Sequence, residues 1–183
     1  PMSFYGSAGN VRMTMGMIGL AFANEGVVID RLTNEADLTG EGGNNTTNGA
    51  TGVQIGGTCG FSTNHASSAN AVTFTGCVNR GNLSTKAARA SGIVAAANRY
   101  TQLTNCVNHG DQMNTCPKED AGRLGNITCN MGTGSSMSGC TNYGDLTSTT
   151  KARCGGITSL SNTAAFENCA NYGTILSDGS RGV

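Results

Sequence analysis

The sequence contains little charge, almost no proline and no tryptophan. Charged residues make up 12% of the 183 residues, the 11 basic and 11 acidic side chains cancel, and only 2 prolines are present. A nucleic-acid-binding surface needs an excess of Lys and Arg to neutralise phosphates, and this chain has none. No apolar run reaches the roughly 18 residues that a transmembrane helix requires. We therefore expect no nucleic-acid partner and no membrane span.

The composition also argues against a helical bundle. The chain is rich in Gly, Asn, Ser and Thr, with 28 glycines, and these residues are weak helix formers. No apolar stripe with a 3.6-residue period is visible, whereas Val11, Met13, Met15 and Met17 alternate with other residues, as in a strand. The length fits one domain, so we expect residues 1–183 to form a single all-β unit.

An internal repeat organises most of the chain. Four segments share the pattern Cys-x-Asn-x-Gly, their cysteines are spaced by 29, 34 and 29 residues, and a degenerate fifth copy begins at Leu32. An apolar residue precedes each Cys or Leu by three positions; these residues are Ile29, Phe74, Leu103, Met137 and Phe166. A motif of small residue, Gly and aliphatic residue lies between the copies, as in Gly156-Ile157. Gly19-Leu20 matches it in the first unit, and Ala121-Gly122 or Gly125-Asn126-Ile127 in the fourth.

Units of 29–34 residues without a helical period predict a right-handed parallel β-helix, or solenoid, of about five coils. Each coil would contribute about three short strands, and stacking about 4.8 Å apart would give a rod about 24 Å long. The glycine after each Asn is expected to take a positive φ at a corner. A bend must separate the apolar residue from the Cys, because their spacing has the wrong parity for one straight strand.

Equivalent residues should then stack in columns and form a structural ladder. Small thiols suit a narrow interior, and asparagine amides two residues later can hydrogen-bond from coil to coil. The column thiols should be free, because stacked Cβ atoms at the rung spacing exceed the disulfide range. The predicted ladder comprises Cys77, Cys106, Cys140, Cys169, Asn34, Asn79, Asn108, Asn142 and Asn171.

The remaining cysteines leave alternatives open. Cys59 and Cys154 lie near the glycine motif and are expected to be small interior residues. Cys116 and Cys129 fall outside the columns, and a disulfide between them is one alternative. A zinc site that adds Cys106 and His109 to this pair is a weaker alternative, since the second pair lacks the usual short spacing. We expect no metal and no cofactor.

Two further columns carry candidate chemistry. The position before the corner glycine holds Arg80, His109, Tyr143 and Tyr172, a candidate partner-binding strip that could stack on sugar rings or simply pack at the corner. The position after that glycine includes Asp111 and Asp145 on adjacent coils, near the separation of about 5 Å that retaining glycosidases use. Turn formation explains these aspartates better, and no nucleophile and base occur at a recognisable spacing, so we expect no enzyme.

The unit apolar-x-[Asn/Gly]-Cys-x-Asn-x-Gly-x-[Leu/Ile], alternating with Gly-Gly-Ile, resembles the GLUG-type repeats of Bacteroidetes-like bacterial surface proteins over roughly residues 19–183. The resemblance implies a solenoid, an extracellular or cell-surface location, and a structural or adhesive role as a spacer or stalk. A carbohydrate-directed module that binds or cleaves glycans is the alternative, and the expected partner is a host protein or glycan.

Two segments interrupt the repeat, and we expect residues 39–54 and 113–120 to be inserted loops. The last residues, Gly182-Val183, match the opening of another glycine motif. We therefore expect the array to continue into further repeats or domains of its own chain.

Overall fold

The computed structural model describes residues 2–6, 14–23, 26–42, 54–64, 68–86, 89–115, 122–150 and 152–178. Strands that follow one another along the chain lie in different sheets, whereas strands one repeat apart pair in parallel. The fold is therefore a parallel β-solenoid, and this prediction is confirmed. In the described part of the chain, no helix has both the length and the apolar character that crossing a membrane demands.

Each of the five coils passes through five short strand positions rather than the three that the repeat predicts. We number the resulting sheets in chain order along one coil. Sheet 1 contains Thr14–Met15, Gln54–Gly56, Arg89–Ser91, Arg123–Gly125 and Arg153–Gly155. Sheet 2 contains Ile18–Ala23, Cys59–Asn64 and Val94–Ala97, and single bridges through Thr128, Met131, Thr158 and Ser161 continue it.

The other three sheets complete the coil. Sheet 3 contains Val27–Asp30, Val72–Thr75, Thr101–Thr104, Ser136–Ser138 and Ala165–Glu167. Sheet 4 contains Thr33–Asn34, Val78–Asn79, Val107–Asn108, Thr141–Asn142 and Ala170–Asn171. Sheet 5 contains Leu38–Gly42, Leu83–Thr85, Gln112–Asn114, Leu146–Ser148 and Ile175–Ser177. A sixth strand, Met2–Gly6, comes before the first coil and pairs with Leu38–Gly42.

The strands of sheet 5 correct the predicted loops. Thr39 pairs with Ser84, and Ser84 pairs with Met113, so residues 39–42 and 113–114 belong to strands. Residue 54 likewise begins a strand of sheet 1. The boundaries 39–54 and 113–120 are therefore wrong at these ends, because parallel pairing continues past the last repeat residue. Residues 43–53 and 116–120 lie outside the described residues.

A left-handed residue forms the predicted bend between sheets 3 and 4 in every coil. It directly precedes the column Cys or Leu, and its φ lies between 51° and 64°; the residues are Arg31, Gly76, Asn105, Gly139 and Asn168. One residue in this conformation redirects the chain, so that Phe74 and Cys77 both point into the interior and are fully buried. The prediction of a bend is confirmed.

The corner glycines after each Asn serve a different purpose from the one predicted. None of Gly81, Gly110, Gly144 and Gly173 has a positive φ. A Cβ added at Gly110 would collide with the carbonyl oxygen of Gly81 on the preceding coil, and one added at Gly144 would collide with that of Gly110. Glycine is therefore required here by the close approach of stacked backbones and not by the backbone dihedral.

The pairing register settles the alignment of the glycine motif. Ser91 pairs with Gly125 and Gly125 with Gly155, so Gly125-Asn126-Ile127 is the fourth copy. In the first unit Leu20 pairs with Phe61, two residues beyond Cys59. Gly19-Leu20 therefore lies inside a strand of sheet 2, and its predicted alignment with Gly156-Ile157 is wrong, because the first coil has a longer path between this motif and Leu32.

The interior is divided into separate apolar clusters. The largest lies between sheets 2, 3 and 4 and contains the column thiols together with side chains such as Phe74, Leu103 and Ile127. Smaller clusters lie between sheets 1 and 5, where Ile55 packs with Leu83 and Leu124 packs with Leu146. Each apolar cluster is therefore thin. The stability of each coil depends mainly on its contacts with the coils directly before and after it.

Candidate functional site

Side-chain amides form an unbroken chain of hydrogen bonds across all five coils. The residues follow the order Asn34, Asn79, Asn108, Asn142 and Asn171, and the Nδ2 of each of the first four donates to the Oδ1 of the next over 2.7–2.8 Å. The first four amides are buried. The second Nδ2 proton of each Asn is also used, as in the 2.8 Å bond from Asn108 to the carbonyl oxygen of Gly110. We call these five residues the asparagine ladder.

The glycine motif makes room for this ladder. A Cβ at Gly92 would overlap the amide of Asn108, and one at Gly156 would overlap the amide of Asn171. In the fourth coil Asn126 replaces the glycine and donates from Nδ2 to the carbonyl oxygen of Gly144 over 2.8 Å. The sequence shows both motifs, but their contact follows only from the fold, because they lie on different sheets.

The thiol column is buried beside the ladder. Cys77, Cys106 and Cys140 are fully buried free thiols, and Cys169 on the last coil is a partly exposed free thiol. The prediction of free thiols in the column is confirmed. Cys106 donates to the carbonyl oxygen of Phe74 over 3.5 Å. Hydrogen bonds with the thiols of Cys140 and Cys77, together with burial, raise the pKa of Cys106 above its usual range.

Cys59 and Cys154 are buried free thiols, as predicted. Cys129 is also free, and its thiol contacts the carbonyl oxygen of Ala95. Burial raises the pKa of Cys59 and of Cys129 to about 12, so both stay protonated at neutral pH. Cys116, the other half of the proposed disulfide, lies outside the described residues.

Cys106 and His109, two of the residues proposed as zinc ligands, are not brought together. The sulfur of Cys106 points into the core, whereas the ring of His109 stacks on the exposed Tyr143. Among the residues that the structure describes, no group of three or more His, Cys, Asp or Glu side chains is arranged to hold a metal ion.

The candidate partner-binding strip forms one continuous row on the outer surface. The rings of His109 and Tyr143 are 5.1 Å apart and nearly parallel, and those of Tyr143 and Tyr172 are 5.3 Å apart. Arg80 continues the row through an exposed ion pair of 3.1 Å with Glu35 on the preceding coil. Because the rings stack face to face, both faces of Tyr143 are covered by protein, and its edge is what meets the solvent.

The residues that follow the corner position, Asp37, Asn82, Asp111 and Asp145, join adjacent coils on the outer surface. We call them the acidic column. The Oδ1 atom of Asp111 accepts a 2.8 Å hydrogen bond from the backbone N–H of Asp145, and Asp145 accepts one of 2.7 Å from Thr174. Asp37 and Asn82 make the same contacts toward the next coil in each case. The two aspartates proposed as a carboxylate pair thus each bind a backbone amide, which is the arrangement expected of turn residues.

Comparisons with protein-family models, with curated proteins and with solved structures found no match to this chain.

Proposed function

We propose that this chain is a stiff structural module, a spacer or adhesive stalk of an extracellular bacterial surface protein, with no catalytic activity of its own. The observation that carries the proposal is the asparagine ladder, which joins every coil to the next through its buried interior. A rod that holds a neighbouring domain away from a surface needs this continuity along its axis.

Two outer columns act in the same direction as the ladder. The acidic column binds a backbone N–H of the following coil at each of four steps. The strip of stacked rings joins the third, fourth and fifth coils on the surface. In the first column the polar atoms bind neighbouring coils, and in the second the ring faces stack on neighbouring coils. Such contacts support a mechanical role over a catalytic one.

The fifth coil supports the continuation of the array. Phe166 is 42% exposed, although its equivalent on the fourth coil, Met137, is only 1% exposed. Asn171 uses its Nδ2 on the carbonyl oxygen of Gly173, in the same way as the buried members of the ladder. A further coil stacked here would bury these columns and extend the ladder. The surface location rests on the resemblance to GLUG-type repeats.

Single-molecule pulling along the solenoid axis tests the mechanical role. We expect the wild-type chain to resist extension and then to unfold in few cooperative steps, because the coils are joined by several columns. Asn108→Ala should lower the unfolding force, whereas the exposed end variant Asn171→Ala should leave it nearly unchanged. Extension at low force without a cooperative step would overturn the proposal. Protease treatment of intact source cells tests the location, since a surface module must be cleaved.

The carbohydrate-directed alternative assigns the strip to a glycan. Sugar rings pack on aromatic faces, and both faces of the central ring, Tyr143, are already covered by His109 and Tyr172. We therefore expect that Tyr143→Ala combined with Tyr172→Ala lowers stability without abolishing any signal on a glycan array. Loss of a glycan signal in this variant, with the fold intact, would favour the alternative.

A further inference from the structure

A groove of about 390 Å³ lies on the side of the solenoid where sheet 1 meets sheet 2. Gln54, Arg89 and Arg123, the first residues of three successive strands, form the wall on sheet 1. Residues of sheet 2 and of the turn after it, including Asn130 and Asn162, form the opposite wall. The lining comes from four successive coils. The groove is therefore as long as the distance between the first and fourth of these coils, roughly 14 Å.

Arginines form a column along this groove. Arg89 pairs with Arg123 in the backbone register, and Arg123 pairs with Arg153 on the next coil. These arginines alternate with residues of the apolar cluster, such as Leu124, so they lie on the outer face of sheet 1. Arg99 lines the groove from the other wall. Arg89, Arg99 and Arg123 thus line one concave site, whereas Arg153, the next arginine of the column, is not among its lining residues.

The electrostatics of the column favour an anionic ligand. Burial, followed by the neighbouring charges of Arg89 and Arg153, lowers the pKa of Arg123. Because arginine stays protonated in proteins, this direction reflects first the desolvation of the guanidinium and second the like charges beside it, and a bound anion would offset both. None of the described residues that line the groove is Asp or Glu, and no carboxylate within the described ranges forms an ion pair with Arg99, Arg123 or Arg153.

The remaining lining suits a hydroxylated chain. The amides of Gln54, Asn98, Asn130 and Asn162 carry both donors and acceptors, which matches the two-way hydrogen bonding of sugar hydroxyls. A guanidinium fork matches a carboxylate or sulfate with two parallel hydrogen bonds. Phe61 supplies an apolar surface at the same site.

We propose that this groove binds an acidic polysaccharide, with the arginines on its carboxylate or sulfate groups and the amides on its hydroxyls. The site lies apart from the exposed aromatic strip and goes beyond the structural role proposed above, since a rod needs no such groove. A single-stranded nucleic acid fits less well, because binding of that kind relies on a series of aromatic platforms, and Phe61 is the only aromatic ring among the described residues of the lining.

Isothermal titration of the whole chain tests the proposal with four probes at low and at physiological salt. Polygalacturonate presents carboxylates, dextran sulfate presents sulfates, and neutral dextran and a single-stranded DNA oligonucleotide are the controls. We expect polygalacturonate, dextran sulfate or both to bind, more weakly at higher salt, and neutral dextran not to bind. The comparison of the two acidic polymers identifies which anion the arginines recognise.

Variants locate the site. Arg99→Gln combined with Arg123→Gln should weaken binding about tenfold or more, because charge-assisted hydrogen bonds are lost. Arg80→Gln removes a positive charge from the exposed strip and is the control that should bind as the wild type does. Asn162→Asp places a negative charge at the exposed rim without altering the arginines, and it should also weaken binding.

Circular dichroism confirms that each variant is folded before its affinity is compared. Three outcomes would overturn the proposal: neither acidic polymer binds, the oligonucleotide binds as tightly as they do, or folded Asn162→Asp binds as the wild type does. If the arginine double variant does not fold, the comparison of Asn162→Asp with Arg80→Gln still decides the location. The pulling experiment reports on the structural role separately, because it needs no ligand.

Discussion

Asn79 donates a hydrogen bond from Nδ2 to Oδ1 of Asn108 over 2.8 Å, although the two residues are 29 positions apart in the chain. That separation is one repeat, so the contact exists only if successive coils lie in register. Both amides are fully buried, and each also donates to the carbonyl oxygen of its own corner glycine. The pair therefore joins two coils and closes two corners at once.

Removing an amide from the middle of the ladder should be costly. Asn108→Ala removes the acceptor of Asn79 Nδ2 and the side-chain donor to the carbonyl oxygen of Gly110, both inside the protein. It also leaves Asn142 Oδ1 with only the longer bond from the backbone N–H of Gly144. Unsatisfied buried polar groups typically cost 1–3 kcal/mol each, so we expect the free energy of unfolding to fall by about 2–4 kcal/mol. Urea denaturation monitored by circular dichroism measures this change.

The matched control is Asn171→Ala, at the exposed end of the same ladder. It removes one acceptor and one corner bond in contact with water, so the loss should stay below about 1 kcal/mol. Equal effects of the two substitutions would contradict the importance that we give to the buried ladder.

The glycine motif gives a second prediction. Gly92→Ala would place a methyl group on the amide of Asn108, and the backbone of Asn126 also lies close by. We expect overpacking to lower the free energy of unfolding by about 1–3 kcal/mol. Gly19→Ala is the control, because its Cβ would meet nothing closer than Thr14 Oγ1 at 3.4 Å. Thermal melts should show a lower Tm than that of the wild type for Gly92→Ala but not for Gly19→Ala.

The cysteines give a third prediction, on reactivity. Alkylation requires the thiolate, and burial raises the pKa of Cys59 and Cys129 to about 12, so both remain protonated thiols until the pH approaches that value. Iodoacetamide must also reach the sulfur, so at pH 8 it should label the partly exposed Cys169 before the buried Cys106 or Cys140. Access decides this order, because hydrogen bonding with Cys106 lowers the pKa of Cys140 whereas burial raises that of Cys169. Peptide mass spectrometry identifies the modified sites. The experiment uses the Cys116→Ser variant, so that labelling of Cys116, which lies outside the described residues, does not contribute. Early labelling of Cys106 would contradict its place in the core.

The acidic column gives a fourth prediction, which separates a turn from a catalytic pair. Asp111→Asn keeps an oxygen that can accept from the backbone N–H of Asp145, so stability should change by less than about 0.5 kcal/mol. Asp111→Ala removes the acceptor and should cost about 0.5–1 kcal/mol, by analogy with the loss of a capping side chain. Denaturant titration of both variants measures the difference. A larger effect of Asp111→Asn than of Asp111→Ala would contradict the turn interpretation.

Much of the architecture follows from the sequence because equivalent residues recur at a nearly fixed spacing. The columns that contain Cys106 and Asn108 were predictable, since a repeat without a helical period can bury its thiols and amides only by stacking. The bend before each Cys was also predictable, from the parity of the spacing to Phe74 or Leu103. In both cases the spacing of residues along the chain is enough for the inference.

Other features depend on contacts between sheets and were not predictable. Considered alone, the corner glycine Gly110 suggests a positive φ. In the structure, a glycine is required at this position because the carbonyl oxygen of Gly81 on the preceding coil lies so close. The groove was missed for a similar reason. Arg89, Arg123 and Arg153 do not belong to the repeat motif, and they form a column only once sheet 1 is paired in register.

Hydrogen exchange of side-chain amide protons, followed by NMR, tests the stacking of the asparagines most directly. We expect the Nδ2 protons of Asn79, Asn108 and Asn142 to exchange far more slowly than those of the exposed Asn171, because each of the three amides is buried and makes two hydrogen bonds. Exchange of all four side chains at the rate of free asparagine in water would show that the ladder is absent.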